Sequence, residues 1–441
     1  MHRLMFKSRG YHSLLLIVFT ILFGMSVTAQ KPAPSNGNAW PMFLGNPSRN
    51  AVASHPEQAL VEAPKILWAL RSRNLQDEEP TGPIPMTTIG STVYYAAPRP
   101  WPNLTRSVSV AEGKVFAAGR FWVGAYSAAD GKELWRHKSG VYSMTPTYYS
   151  GFVFFLDAKE ALFKVGASSG KVSWSRSWEC SQKIHHMRGV SILSADGYIY
   201  HAPCGNSVVV LDAASGHEVC SFRQPGTGKS GEVAAGLATM SLEGRVLYVA
   251  FDGGALFGVD SRTCKLRLRS PTPSIHEMRF PVVSGDSVFL VHFPDEDDNI
   301  SAIKKSSGLY RWFLHDHYNA SIAPVIVDGI VYAGNKGLRR GAQKSNSIIA
   351  YDADTGKYLW ELLLTHGTLT PPVVHGRMIY IGEGSHVTGV DRLEKKIRWT
   401  VELEHEEDEV GRSLAVAEGK IFVVDTYGTL YALGASGVVE E

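Results

Sequence analysis

The chain predicts an all-β fold: an eight-bladed β-propeller of four-stranded antiparallel blades, its ring closed by an N-terminal strand. Three observations carry this reading. A stretch of apolar run, tight turn and apolar run recurs at intervals of 39, 46, 48, 44, 48 and 39 residues. A second series of eight apolar hairpins interleaves with it. One strand-like segment near the N-terminus stands alone, and the last repeat is short of one strand. A period of about 40–50 residues with strand content is the signature of a propeller, one blade per repeat.

The cleanest copy of the stretch is NSIIAYDADTGKYLW, residues 346–360. Its alternating apolar residues end at Ala350-Tyr351-Asp352, Gly356 supplies the positive φ of a tight turn, and Trp360 closes the second strand. Further copies end at Trp135, Trp174 and Trp312, with weaker ones at Cys220, Leu268 and Trp399. The hairpin series runs over 107–119, 145–155, 189–201, 236–250, 280–292, 323–334, 371–382 and 413–425. Each hairpin precedes one copy, so a blade is an inner A–B hairpin followed by an outer C–D hairpin, and eight blades are expected, or seven if the copy ending at Leu268 is degenerate.

The eighth blade shows A, B and C strands but no convincing D strand. The lone segment 64–71, PKILWALR, places Trp68 as Trp360 is placed in its own copy. It is expected to pair with the last C strand, which closes the ring and removes an exposed edge. The six repeat tryptophans, Trp68, Trp135, Trp174, Trp312, Trp360 and Trp399, read as interblade packing, each indole N–H needing an acceptor.

The formal net charge is +2, yet Arg3, Lys7 and Arg9 stand in the first 29 residues with no acid, leaving the remainder at −1. A near-neutral body gives no support to nucleic-acid binding. A basic start, the apolar run 14–24 and the small residues Val27-Thr28-Ala29 read as a secretory signal over 1–29. That run is short for a bilayer, which needs about 20 apolar residues, so no transmembrane segment is expected after cleavage. Residues 30–63 read as an N-terminal lead and 64–441 as the propeller. The mature protein is expected to be exported, periplasmic or secreted, and monomeric.

Four cysteines in an exported chain permit disulfides. Cys180 follows one D strand and Cys204 begins the next B–C loop, so these two are expected to approach one another. Cys220 stands where other copies have Trp, and Cys264 where they have Gly. Both read as packing substitutions.

The pattern Ala350, Asp352, Gly356, Lys357, Trp360 resembles the PQQ-like repeat, the blade of the PQQ-binding-like propeller superfamily. The opening WPMFLGNPSRN, residues 40–50, resembles the segment that precedes the ring in many exported members. The resemblance implies one of two functions. One is a non-catalytic protein- or ligand-binding scaffold in the bacterial envelope, like the BamB-type propellers. The other is a quinoprotein dehydrogenase holding PQQ and calcium over the ring centre. The chain lacks the adjacent cysteine pair of quinoprotein alcohol dehydrogenases, and no residues map onto their calcium ligands. The scaffold is therefore the favoured reading, with no catalytic residue and no cofactor assigned, and with a protein or a small anionic ligand as partner.

Loops joining D to A and B to C share one face and hold nine of the sixteen histidines. These spread over six blades and are not expected to converge. His185, His186, His315 and His317 are the best seats for a metal. Arg106 and Arg412 each precede their A–B turn glycine by seven residues, and Arg188 and Arg279 are near-equivalents. Placed at the start of innermost strands, the four are expected to form a basic channel mouth that suits a carboxylate.

Overall fold

The organising stretch folds as its residues dictate. In the computed structural model, strands Asn346–Asp352 and Tyr358–Leu364 pair antiparallel with Ala350 opposite Trp360. Asp352 holds the turn: its Oδ1 accepts from the Thr355 N–H at 2.8 Å and the Thr355 hydroxyl at 2.6 Å. Those bonds, the hydroxyl's first, keep its carboxyl below the usual range. Gly356 sits at φ 70° and donates to the Asp352 carbonyl at 2.9 Å. A glycine adopts that conformation without steric cost.

The structure describes residues 39–40, 42–49, 51–53, 59–70, 85–89, 92–95, 108–118, 122–138, 145–157, 161–179, 192–203, 207–225, 238–251, 255–270, 277–293, 299–314, 322–335, 346–366, 370–403, 414–425 and 429–435. Among these, 85–89, 92–95, 277–280, 293 and 299 are described by their backbone alone. They belong to the unit Ala33–Glu441. They contain no helix, and so none long and apolar enough to cross a membrane.

Eight four-stranded antiparallel blades form the ring. In the order A, B, C, D, blade 1 is Ser109–Ala111, Lys114–Ala118, Trp122–Ser127, Glu133–Lys138 and blade 2 is Thr147–Tyr149, Phe152–Leu156, Leu162–Gly166, Val172–Arg176. Blade 3 is Leu193–Ala195, Tyr198–His201, Ser207–Asp212, Glu218–Arg223 and blade 4 is Ala238–Glu243, Val246–Phe251, Ala255–Asp260, Leu266–Arg269. Blade 5 is Glu277–Ser284, Ser287–Phe293, Asn299–Lys304, Tyr310–Phe313 and blade 6 is Val325–Val327, Ile330–Asn335, Asn346–Asp352, Tyr358–Leu364. Blade 7 is Val373–His375, Met378–Glu383, His386–Asp391, Lys396–Glu402. Blade 8 is Ala415–Ala417, Lys420–Val424, Leu430–Gly434 and, as its D strand, Lys65–Leu70. The N-terminal strand pairs Lys65 with Gly434 and Leu70 with Leu430, so the ring closes as the sequence predicts. A separate hairpin, Pro85–Ile89 with Thr92–Tyr95, lies outside the blades.

In five blades two successive residues at the A–B turn have positive φ, as at Asp328 (51°) and Gly329 (72°). That is the two-residue turn whose twist matches paired strands. The B and C strands are buried almost throughout, since both faces of every blade pack on neighbours.

The tryptophans latch one blade to the next. The indole N–H of Trp135 in blade 1 donates to Ala167 O of blade 2 at 2.8 Å, and Trp174 of blade 2 donates to Ala214 O of blade 3 at 3.0 Å. Trp312 donates to Ala353 O at 2.9 Å, and Trp68 carries the pattern across the closure to Ala128 O at 3.3 Å. Each of these indoles lies on the turn glycine of the following blade. A Cβ added to Gly170 would stand 2.7 Å from Trp135, and one on Gly356 2.8 Å from Trp312. Blade 8 has no chain-continuous C–D turn, and there Trp399 of blade 7 donates to Leu60 O of the N-terminal lead at 2.9 Å.

Cys220 and Cys264 are not packing substitutions. They form a disulfide with Cα atoms 5.8 Å apart, joining the D strand of blade 3 to the C–D turn of blade 4. Because Trp and Gly of successive blades face one another, replacing both by Cys sets two sulfurs across the same seam. At the next seam Leu268 takes the Trp position and lies on Gly308, whose added Cβ would meet it at 3.0 Å. Cys180 and Cys204 lie outside the described residues.

Candidate functional site

In a blade the side chains alternate between two sheet faces, so the innermost strand turns a backbone edge, not a row of side chains, toward the channel. Such an edge leaves N–H and C=O groups in need of partners. Residues 40–53 supply them. Trp40 exchanges two backbone bonds of 2.7 Å with Val110 in the A strand of blade 1. Leu242 of blade 4 donates to Pro47 O at 2.8 Å and Val283 of blade 5 to Ser48 O at 2.9 Å. Val52–Ala53 then pairs in parallel with the A strand of blade 7 through Val374 and His375. Val110, Leu242, Val283 and Val374 all stand two or three residues before their A–B turn glycines. The segment therefore crosses the channel near its A–B-turn end.

Arg49 anchors this crossing. It is 3% exposed and donates to the carbonyls of Met240 (3.2 Å), Phe43 (2.5 Å) and Ile192 (3.3 Å). Burial pulls its pKa down to about 9, so it stays charged at neutral pH. The sequence resemblance flagged the segment but gave no sign that it reaches into the ring.

The sequence reading expects its candidate site at the opposite end. Arg106, Arg188, Arg412, His185, His186, His315 and His317 lie outside the described residues. Arg279 is placed on the A strand of blade 5, paired with Val291, where the register breaks between Arg279 and Val282. Bulges of this kind re-aim a strand and are common beside functional sites.

Two histidines that the sequence reading left dispersed do converge. His366 follows the D strand of blade 6 and His386 opens the C strand of blade 7. Their rings stack at 3.6 Å with an interplanar angle of 18°. Buried Glu383 organises the seam by accepting from the His366 N–H at 3.2 Å and from the Thr388 hydroxyl. Asn346 Nδ2 donates to the His366 carbonyl at 2.6 Å, and Ser385 Oγ lies 3.1 Å from His386 Nδ1. Burial, then the adjacent His366, keeps the His386 imidazole below its ordinary pKa. Stacked imidazoles disfavour a second proton, because like charges would stand face to face.

Elsewhere the buried carboxylates hold turns. Asp425 accepts from Thr429 N at 2.7 Å and from the Tyr431 hydroxyl at 3.2 Å. His201, fully buried beside Trp178 with ring centroids 5.2 Å apart, is pushed by burial to a pKa of about 3. Among the described residues no three His, Cys, Asp or Glu side chains stand together as metal ligands.

Among solved structures the chain is similar to BamB from Moraxella catarrhalis, with 15% identity over 74% of this chain and 96% of that one, at a TM-score of 0.57. It is also similar to the quinohemoprotein alcohol dehydrogenase of Comamonas testosteroni, with 11% identity, coverage of 92% and 82%, and a TM-score of 0.62. The computationally designed Ika8 protein matches at 14% identity, coverage of 75% and 96%, and a TM-score of 0.58. These likenesses show the fold. No curated protein sequence matches. A family model described as outer membrane protein assembly factor BamB matches residues 65–313, 205–342 and 319–439, which together span the ring. The chain belongs to that family of PQQ-like repeat β-propellers.

Proposed function

We propose that this chain is an exported, monomeric, non-catalytic propeller that binds a protein partner in the bacterial envelope. The observation that carries this reading is the crossing of the channel near its A–B-turn end by residues 40–53. It braces the ring internally and leaves the loop face for a partner. Family membership supports the same reading, since BamB is described as an assembly factor. Export is supported by the Cys220–Cys264 disulfide, which calls for an oxidising compartment, and by the signal-like first 29 residues.

On that loop face Arg106, Arg188, Arg279 and Arg412 form the proposed anchor for carboxylates of the partner, and the bulge beside Arg279 supports a re-aimed strand there. Charges gathered in a concave mouth act more strongly than on open surface, and salt weakens them. The test is cross-linking in the envelope followed by measurement of the captured partner's affinity against the Arg279→Ala, Arg412→Ala variant. We expect at least tenfold weaker binding at low salt with an unchanged melting temperature. Equal affinity removes the channel mouth as the site. PQQ and calcium provide the competing arm: a quinone absorbance that survives desalting, together with dye-linked alcohol oxidation, overturns the non-catalytic reading.

A further inference from the structure

Among the described residues, every blade ends in a D strand whose outer backbone edge pairs with no further strand, a template for any passing strand. Natural sheets protect such edges with charged side chains, lysine especially. Seven of these eight strands follow that rule, each holding at least one basic residue, as at Arg136 in blade 1, Arg311 in blade 5, Arg398 in blade 7 and Lys65 in blade 8. The D strand of blade 6, YLWELLL, holds none.

That strand is also, with the D strand of blade 7, the longest of the eight at seven residues. Its apolar side chains stand outside: Tyr358 is 49% exposed, Leu359 41% and Leu363 58%. The D strands of blades 1 to 4 and of blade 8 each expose a single large apolar residue. Blade 6 thus combines length, apolar exposure and an unprotected edge in one place. Its single charge, Glu361, stands two residues before Leu363 on the same side of the strand and in regular register.

We propose that the D strand of blade 6 is a docking edge for an extended segment of a partner protein, which adds to the blade as a fifth strand. The proposal rests on the binding-scaffold reading and names a second surface for it. Main-chain bonds give such strand addition its affinity, and alternate side chains give it specificity. Here the matching segment carries a basic residue opposite Glu361 and an apolar residue two positions away, opposite Leu363. A second copy of this chain is a poorer occupant, since the same edge brings another glutamate and no base. Opposite charges across a strand pair stabilise it and like charges oppose it.

The test uses two synthetic peptides of alternating threonine and valine, ten residues long, one with a central lysine and one with a central glutamate. Binding to the full-length mature protein is read by fluorescence anisotropy. The lysine peptide is expected to bind at least tenfold more tightly than the glutamate peptide. Leu363→Lys, which restores the missing edge protection at an exposed position, is expected to weaken it at least tenfold without moving the melting temperature. No binding by either peptide, equal binding by both, or binding unaffected by Leu363→Lys overturns the proposal. A dimer found by light scattering and lost in Leu363→Lys also overturns it, in favour of self-association. The envelope cross-linking result and its dependence on Arg279 and Arg412 stand apart from these outcomes, so failure of the edge is distinguishable from failure of the scaffold reading.

Discussion

Replacing Cys220 and Cys264 together by alanine removes the covalent latch between blades 3 and 4 and leaves the six tryptophan positions untouched. The bond closes a loop of sequence separation 44. By the chain-entropy relation such a loop restricts the unfolded state by about 13 cal/mol/K, or about 4 kcal/mol at 25 °C. A ring of this size unfolds with an entropy of about 0.8 kcal/mol/K near 60 °C, so the variant is expected to melt about 5 °C below its parent. Scanning calorimetry at one fixed scan rate reads the difference. A second variant separates the crosslink from the packing at the same seam. Cys220→Trp with Cys264→Gly restores the residue pair used elsewhere in the ring, and glycine relieves the φ of 54° at position 264. The Ser261 carbonyl stands where Ala353 does in blade 6, so the new indole has an acceptor. This variant is expected to recover at least half of the lost melting temperature. If the double-alanine variant melts within 1 °C of its parent, the bond does not constrain the ring and the reasoning fails.

Three further outcomes follow from the same geometry. Deleting the residues up to Arg71 removes the channel-crossing segment and the D strand of blade 8, and should abolish the cooperative melt; a truncated protein that melts like its parent refutes the closure. Gly170→Ala places a Cβ 2.7 Å from Trp135 at a φ of 64°, which should cost about 2–4 kcal/mol by chemical denaturation, against about 1–2 kcal/mol for Gly151→Ala, where φ is also positive at 80° but the added Cβ meets no atom within 4 Å. His201, with its folded pKa pushed down to about 3, contributes stability that is lost as pH falls below the unfolded value of about 6.5, because the unfolded chain binds the proton first. Between pH 6.5 and 5 His201→Leu should therefore flatten the decline in stability by up to about 1.4 kcal/mol per pH unit, measured by urea unfolding. An unchanged slope would place the titration elsewhere.

The sequence by itself determined the ring. The eight interleaved A–B hairpins counted the blades, the spacing of the copies ending at Trp135, Trp174, Trp312 and Trp360 gave their period, and the alternation around Asp352-Gly356 placed each outer hairpin. The orphan strand with Trp68 predicted the closure that pairs it with Ala432. These features were legible because each is local: a turn needs its glycine within a few residues, and a half-buried strand shows its period in a single run. The tertiary structure alone decided what crosses the seams. Cys220 and Cys264 were each visible as departures from the repeat, yet only the packing of blade 3 on blade 4 set them 5.8 Å apart. A signal was present, since Trp and Gly of successive copies are the positions that meet. For His366 and His386 the signal was partial: both fall on loops of the same face in adjacent blades, but a repeat pattern carries no record of which loop ends meet, and the two were expected to stay apart. Residues 40–53 show the same limit from the other side. Apart from the Arg49 guanidinium on Met240 O and Ile192 O, it is mostly their backbone groups that complete the inner edges of blades 1, 4, 5 and 7, and backbone bonding of that kind leaves little trace in residue type.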